Sequence, residues 1–296
     1  MNVPINMYLL LDSNAVSMCN YCPPKKVGEK SVFDLKILKK LIEYANFREY
    51  VISFVHGDIL PKVYYDILAS CNRQTNIMGL ALFEKLSSVP NVTVSLDAGD
   101  YLQINKRRLS EDLNRSAIVH FKCESISFLA DAVISLLRVC RRVTIVCDDA
   151  SYFEAETYMY YQDELKKISD VLKHEISHGK LTEINVLTDS VFLDNPHPCP
   201  SGVSSFAFSP DGKLYPCPAF IGDLEFEIPF TFESSIYNEN ERFFSLRPIC
   251  QDCTQYHCRR CAFTNYQFTK ELCIPPYEVC KIAKAEEQAS KSILKD

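Results

Sequence analysis

Cys250-Gln-Asp-Cys253-Thr-Gln-Tyr-His-Cys258-Arg-Arg-Cys261 is the densest run of thiols in the chain, with Cys199 and Cys217 before it and Cys273 and Cys280 after it. Thiolates gathered this closely repel one another unless a metal ion or an iron–sulfur core neutralises them. The run therefore predicts a small cysteine-rich module built around metal. Its gaps are two, four and two residues, which crowds four ligands around a single cubane. Ferredoxins relieve such crowding by giving the last cysteine of a run to another cluster. On that pattern Cys250, Cys253 and Cys258 share a cluster with a later cysteine, and Cys261 joins Cys199 and Cys217. Zinc is the alternative metal, because paired Cys-x2-Cys knuckles also make tetrahedral thiolate sites. Separated thiols combined with one tight run favour iron–sulfur. His197 and His257 lie among the thiols and read as outer or surface imidazoles.

Working outward, the composition changes at Leu193-Asp-Asn-Pro-His-Pro-Cys-Pro200, where prolines interrupt the periodicity. The domain boundary is placed there, giving domains 1–193 and 194–296. Just beyond it, Ser204–Phe208 and Lys213–Tyr215 flank Ser209-Pro-Asp-Gly212, a turn sequence that predicts a β-hairpin. Cys199 and Cys217 then fall at its open end.

Residues 1–193 alternate short apolar runs with stretches of helical period, a β/α pattern. Six strands are expected, at Ile5–Asp12, Tyr50–His56, Val92–Asp97, Ala117–Cys123, Val143–Asp148 and Glu183–Thr188. Helices are expected at Val32–Phe47, Val63–Ser70, Leu80–Ser87, Ser125–Arg141 and Tyr158–His178, and Lys281–Asp296 reads as a charged terminal helix. Right-handed crossovers leave an open doubly wound sheet or a partial (β/α)6 TIM-like barrel, and in either case chemistry gathers at the strand C-terminal ends. Asp97 and Asp148-Asp149 close strands there, as acid/base groups, peptide anchors or simply solvated carboxylates.

With 32 Lys+Arg against 38 Asp+Glu, the net charge of −6 argues against an extended phosphate-binding face, so nucleic acid is not an expected partner. The apolar run Met7–Leu11 is closed by Asp12 and preceded by no basic segment, which fits neither a signal peptide nor a membrane span. A cytoplasmic protein is expected, in which 14 cysteines stay reduced and clustered spacing reads as metal ligation before disulfides.

The order Cys199, Gly212, Cys217, then the quartet, then Cys280, resembles the SPASM domain, the auxiliary-cluster module of radical S-adenosylmethionine enzymes that modify peptides. The quartet here is more tightly spaced than the family pattern. The resemblance implies a small cysteine-rich α+β iron–sulfur domain carrying one or two [4Fe–4S] clusters. It implies Cys199, Cys217 and Cys261 on one cluster and Cys250, Cys253, Cys258 and Cys280 on the other, with Cys273 either completing the first or buried as a plain thiol.

The same resemblance extends to the first domain, since these enzymes carry a CxxxCxxC motif in the loop after the first strand of a partial barrel. This chain has Ala15, Cys19 and Cys22 at that spacing, so the first ligand is alanine. Two thiolates hold an activating cluster poorly and leave no defined site for the cofactor. The Gly-Gly-Glu segment that binds the cofactor's amino group corresponds to His56-Gly57-Asp58, with one glycine and a shorter carboxylate. Cys19, Cys22, Gly57 and Asp58 are thus degenerate cofactor-site positions, and Cys123 and Cys147, near strand ends, are candidate substitute ligands.

The implied reading is a pseudo-enzyme in the maturation of ribosomally made peptides. It binds a precursor peptide, an active radical S-adenosylmethionine enzyme, or both, and relays electrons through its auxiliary clusters. The competing expectations are an active peptide maturase with unorthodox ligation and a zinc-stabilised structural adaptor.

Overall fold

The computed structural model describes residues 5–15, 32–86, 89–103, 115–192, 199–237, 253, 255 and 261–293. The elements are β1 (Asn6–Leu10), α1 (Leu35–Arg48), β2 (Val51–Val55), α2 (Lys62–Leu68), β3 (Gln74–Gly79), α3 (Leu80–Phe83), β4 (Val92–Asp97), β5 (Ser116–Phe121), α4 (Leu129–Leu137), β6 (Arg142–Cys147), α5 (Ala155–Ser177), β7 (Glu183–Ile184), α6 (Asp189–Phe192), β8 (Ser205–Phe208), β9 (Leu214–Tyr215), α7 (Ala262–Thr269) and α8 (Tyr277–Ile293). The chain is α/β, with nine described strands in mostly parallel pairing. It divides into two compact units. The first holds the described residues up to Val94 and from Pro200 to position 237; the second holds Ser95–Cys199 and the described residues from position 253 onward.

In the first unit, β1 pairs in parallel with β2 on one edge and with β8 on the other, β2 continues to β3, and β9 runs antiparallel to β8. The hairpin expected around Ser209–Gly212 is therefore formed, and it extends the parallel strands. Gly212 sits at φ +82, and a Cβ there would come within 2.9 Å of Ile37 Cγ2, so the turn needs glycine for both conformation and space. Helix α1 starts at Asp34, whose carboxylate accepts from the amides of Lys36 (2.8 Å) and Ile37 (3.0 Å). Its Leu38, Leu41, Ile42 and Ala45 pack into one core with Met7, Leu9, Phe54, Phe206 and Phe208. Burying side chains of this size contributes about 1.5–3 kcal/mol each.

In the second unit, β5 pairs in parallel with β6 and β6 with β7. Tyr161 of α5 stacks on Phe121 with centroids 5.4 Å apart and donates its hydroxyl to Glu286 of α8 at 2.8 Å. Glu164 is buried on α5 yet satisfied, accepting from the Ala130 amide (2.8 Å) and Lys167 Nζ (2.6 Å). The C-terminal helix is thus bonded to α5 by polar as well as apolar contacts.

Two strands depart from the expected pattern. Gln74–Gly79 forms a strand, although QTNIMG has too little apolar content to announce one. The run from Glu183 to Thr188 keeps only two strand residues, because Thr188 Oγ1 bonds both the amide and the carbonyl of Ile184 at 2.9 Å and turns the chain. Arg142 fixes that turn with two bonds to Asp189, 3.0 and 2.8 Å. The expected boundary at 193/194 lies outside the described residues. No helix among the described residues is long and apolar enough to cross a membrane.

Candidate functional site

The strand C-terminal ends of the first unit are organised by one carboxylate. Asp12 follows β1 and is 4% exposed. Its Oδ1 accepts from the Asn14 amide at 2.8 Å, and its Oδ2 accepts from the amides of Gly57 (3.0 Å) and Asp58 (3.1 Å). A Cβ at Gly57 would lie 2.2 Å from both the Asn14 carbonyl carbon and Asp12 Oδ1, so only glycine lets the two loops approach. Asn14 Nδ2 then donates to Asp58 Oδ2 at 2.6 Å. The buried Ala15 donates its amide to the Asp12 carbonyl at 3.2 Å. Gly57 and Asp58 are therefore held against the end of β1, beside Ala15.

His56, at the end of β2, is wholly buried and shares a 2.9 Å bond between Nε2 and Asn76 Oδ1. Asn76 donates its amide to the Pro90 carbonyl at 2.8 Å, which fixes Oδ1 as the acceptor and Nε2–H as the donor. Burial lowers the His56 pKa below 6.5, against a smaller opposing pull from Asn76 and Asp12.

The second unit carries a different cluster at its strand ends. His120, the penultimate residue of β5, is 5% exposed, and its Nδ1 lies 2.8 Å from Oδ1 of Asp148, which directly follows β6. The buried Nε2 has no hydrogen-bond partner among the described residues. Asp97 ends β4, open to solvent. Partial burial of its carboxyl pushes its pKa up, with Asp148 and Asp100 adding to the rise and His120 and Lys122 opposing it. Sequence reading singled out both carboxylates and missed His120, hidden within the apolar run SAIVHF. Its one signal is a titratable residue next to the end of an otherwise apolar strand.

Next to this cluster in sequence, Asp149 accepts from the Cys123 amide at 3.0 and 3.1 Å and from Cys147 Sγ at 3.7 Å. Burial, followed by the charge and hydrogen bond of Asp149, pushes the Cys123 thiol up to about 12. A carboxylate beside a thiol opposes thiolate formation and makes Cys123 a poor substitute ligand.

Of the expected cluster ligands, Cys19, Cys22, Cys250 and Cys258 lie outside the described residues. In the first unit, the partly buried Cys217 precedes a 3-10 turn. In the second, Cys199 and Cys253 are exposed and Cys273 is buried. Cys261 caps α7, its Sγ accepting from the Thr264 amide at 3.5 Å, and Cys280 sits in the first turns of α8. A helix N-terminus favours the thiolate that a metal or cluster needs. Among the described residues, no three His, Cys, Asp or Glu side chains are gathered closely enough to hold a metal ion. No family model matches the chain, and no curated protein does.

Proposed function

We propose that the chain is an accessory protein in the maturation of ribosomally made peptides, working in the cytosol. On this reading it is a degenerate radical S-adenosylmethionine protein with a partial (β/α)6 barrel and a SPASM-like module. It binds the precursor peptide, an active radical enzyme, or both. The observation that supports this reading is the engagement of the Gly57-Asp58 segment by the chain itself. Asp12 takes both of its amides and Asn14 takes its carboxylate, while Ala15 brings no thiol to the adjoining loop. These residues do not fit a methionine-chelating cluster, and no step through S-adenosylmethionine follows.

The C-terminal donors are all thiols, the set an iron–sulfur core takes. Cys199, Cys217, Cys250, Cys253, Cys258, Cys261, Cys273 and Cys280 are the residues that would hold one or two clusters. A bound [4Fe–4S] core supplies one-electron transfer. The chain's own part is to present Cys261 at the head of α7, where its Sγ accepts from the Thr264 amide, and to hold α8 against α5, where Glu286 accepts from Tyr161.

Anaerobic reconstitution tests the reading. Iron and sulfide are expected in amounts matching one or two clusters, with no 5′-deoxyadenosine formed from S-adenosylmethionine and reductant by this chain alone. Appreciable 5′-deoxyadenosine overturns the accessory role, and zinc without iron replaces the electron relay by a structural adaptor. Ala15→Cys is expected to leave 5′-deoxyadenosine at background, because Asp58 remains engaged.

A further inference from the structure

The second unit holds a cavity of about 370 Å³ at the end of its strands opposite His120, where α5 stops, the chain turns through Gly179–Thr182, and β6 and β7 begin. Ile176, Leu181, Arg141, Lys180, Glu183 and Asp189 line it. Arg141, Lys180 and Leu181 are exposed, so the cavity is reached directly from solvent. A volume of this size takes a small molecule with a compact apolar body, oriented by a few polar groups on the wall.

The polar valences left open on that wall are donors. Arg142, also in the lining, donates to both oxygens of Asp189 at 3.0 and 2.8 Å and to Glu183 Oε2 at 2.9 Å, so the two carboxylates are answered from within. Lys180 Nζ uses two of its three donors, one on the Leu137 carbonyl and one on Glu175, both at 2.8 Å. The Arg141 side chain is 56% exposed, and among the described residues its one ion pair is to Glu183 Oε1 at 3.7 Å, too long for a hydrogen bond. The last carbonyls of α5, those of His174, Glu175 and Ile176, are met by amides of the turn that follows, which blunts the negative helix end. A cation would meet Arg141, Arg142 and Lys180 together. A carboxylate matches the unused fork of a guanidinium in both shape and charge.

We infer that this cavity binds a small carboxylic acid with a compact apolar body, either a free acid or the C-terminal residue of a peptide. The carboxylate accepts from Arg141, and the apolar body lies against Ile176 and Leu181. Arg142 is a positioning residue that keeps Glu183 and Asp189 occupied. The site goes beyond the accessory reading and needs neither the clusters nor the maturation role.

The test uses the full chain with 13C-labelled isoleucine methyls, followed by NMR, with the Ile176 signal assigned through Ile176→Val. The probes are phenylpropionate, its amide phenylpropanamide, phenylpropylamine, and N-acetylphenylalanine as the mimic of a peptide end. Phenylpropionate is expected to move the Ile176 methyl saturably and to bind about tenfold more tightly than its amide, the scale of one charge-assisted hydrogen bond. The amine is expected to bind more weakly than the amide. Tighter binding of N-acetylphenylalanine than of phenylpropionate identifies a peptide end as the source, and weaker binding a free acid. Arg141→Gln is expected to bring the acid down to the level of the amide while amide binding is unchanged, a split that a merely structural role would not produce. Arg141→Lys, which keeps the charge and loses the fork, should fall between the two. No saturable shift with any probe, an amide or amine bound as tightly as the acid, or an Arg141→Gln protein that binds the acid like wild type or loses acid and amide together overturns the site. Iron and sulfide content and capture of the precursor peptide are measured separately, so failure here and failure of the accessory reading are distinguishable.

Discussion

Asp12 and Asp148 occupy corresponding positions in their units, each just past the C-terminal end of a parallel strand, and they do different work. Asp12 is used up by the main chain: three amides converge on its two oxygens, and the loops after β1 and β2 become one framework. Asp148 holds an imidazole whose other nitrogen is left without a partner among the described residues. Strand-end loops are where α/β proteins put recognition. In the first unit the strand-end carboxylate is met by main-chain amides, and in the second it is met by a side chain. A carboxylate answered by main-chain amides ties two loops together, whereas a buried imidazole nitrogen without a partner among the described residues is kept at a cost, and each unit carries one, at His56 Nδ1 and His120 Nε2.

The sharpest way to break the comparison is at Gly57. Gly57→Ala puts a methyl 2.2 Å from the Asn14 carbonyl carbon and Asp12 Oδ1. The first is backbone and the second is a buried carboxylate oxygen held by the Asn14 amide, so the loops must separate and the Asp12 bonds go with them. A loss of about 4 kcal/mol is expected in urea denaturation, at the upper end for one substitution. Gly99→Ala is the control: nothing lies within 4 Å of its Cβ, and its midpoint should move by less than about 0.5 kcal/mol. Equal effects at the two glycines would show that the Asp12 framework is not rigid.

Asp12→Ala comes next, expected to cost about 3 kcal/mol because three backbone donors lose a charged acceptor and the carboxylate is almost wholly buried. Asp148→Ala in the second unit should cost less in stability while removing the Nδ1–H preference of His120. A larger stability loss at Asp148 than at Asp12 would show that the second unit depends more on its strand-end carboxylate than the first.

How much of this was legible beforehand differs between the two units for physical reasons. VISFV and RVTIVC are apolar enough to announce buried parallel strands, and SPDG names its own turn. Gln74–Gly79 was not legible, because its strand state depends on pairing with β2 and on Asn76 meeting His56 and Pro90, contacts between distant residues. Nor does local pattern say that Ser205–Phe208 will run parallel to β1. The carboxylates of the second cluster were visible as strand-end residues. His120 was not, since an imidazole in an apolar run gives no sign of which face it takes until the partner strand places Asp148 beside it. In the first unit, Gly57 and Asp58 were picked out by resemblance, while the role of Asp12 emerges only when the loops meet.

The smallest expected effect compares the two histidines. Both have a nitrogen without a partner among the described residues, but His56 is wholly enclosed and its other nitrogen meets an uncharged amide, so its ring stays neutral in the fold. With its folded pKa held below 6.5 chiefly by burial, the unfolded chain takes up a proton first on acidification. Stability is therefore intact above pH 6.5 and declines as the pH falls below it, by up to about 1.4 kcal/mol per pH unit from this one group. His56→Gln should flatten that slope in urea denaturation between pH 7 and 5, whatever it costs at neutral pH. An unchanged slope would assign the titration to another residue and leave His56 as an ordinary packed ring.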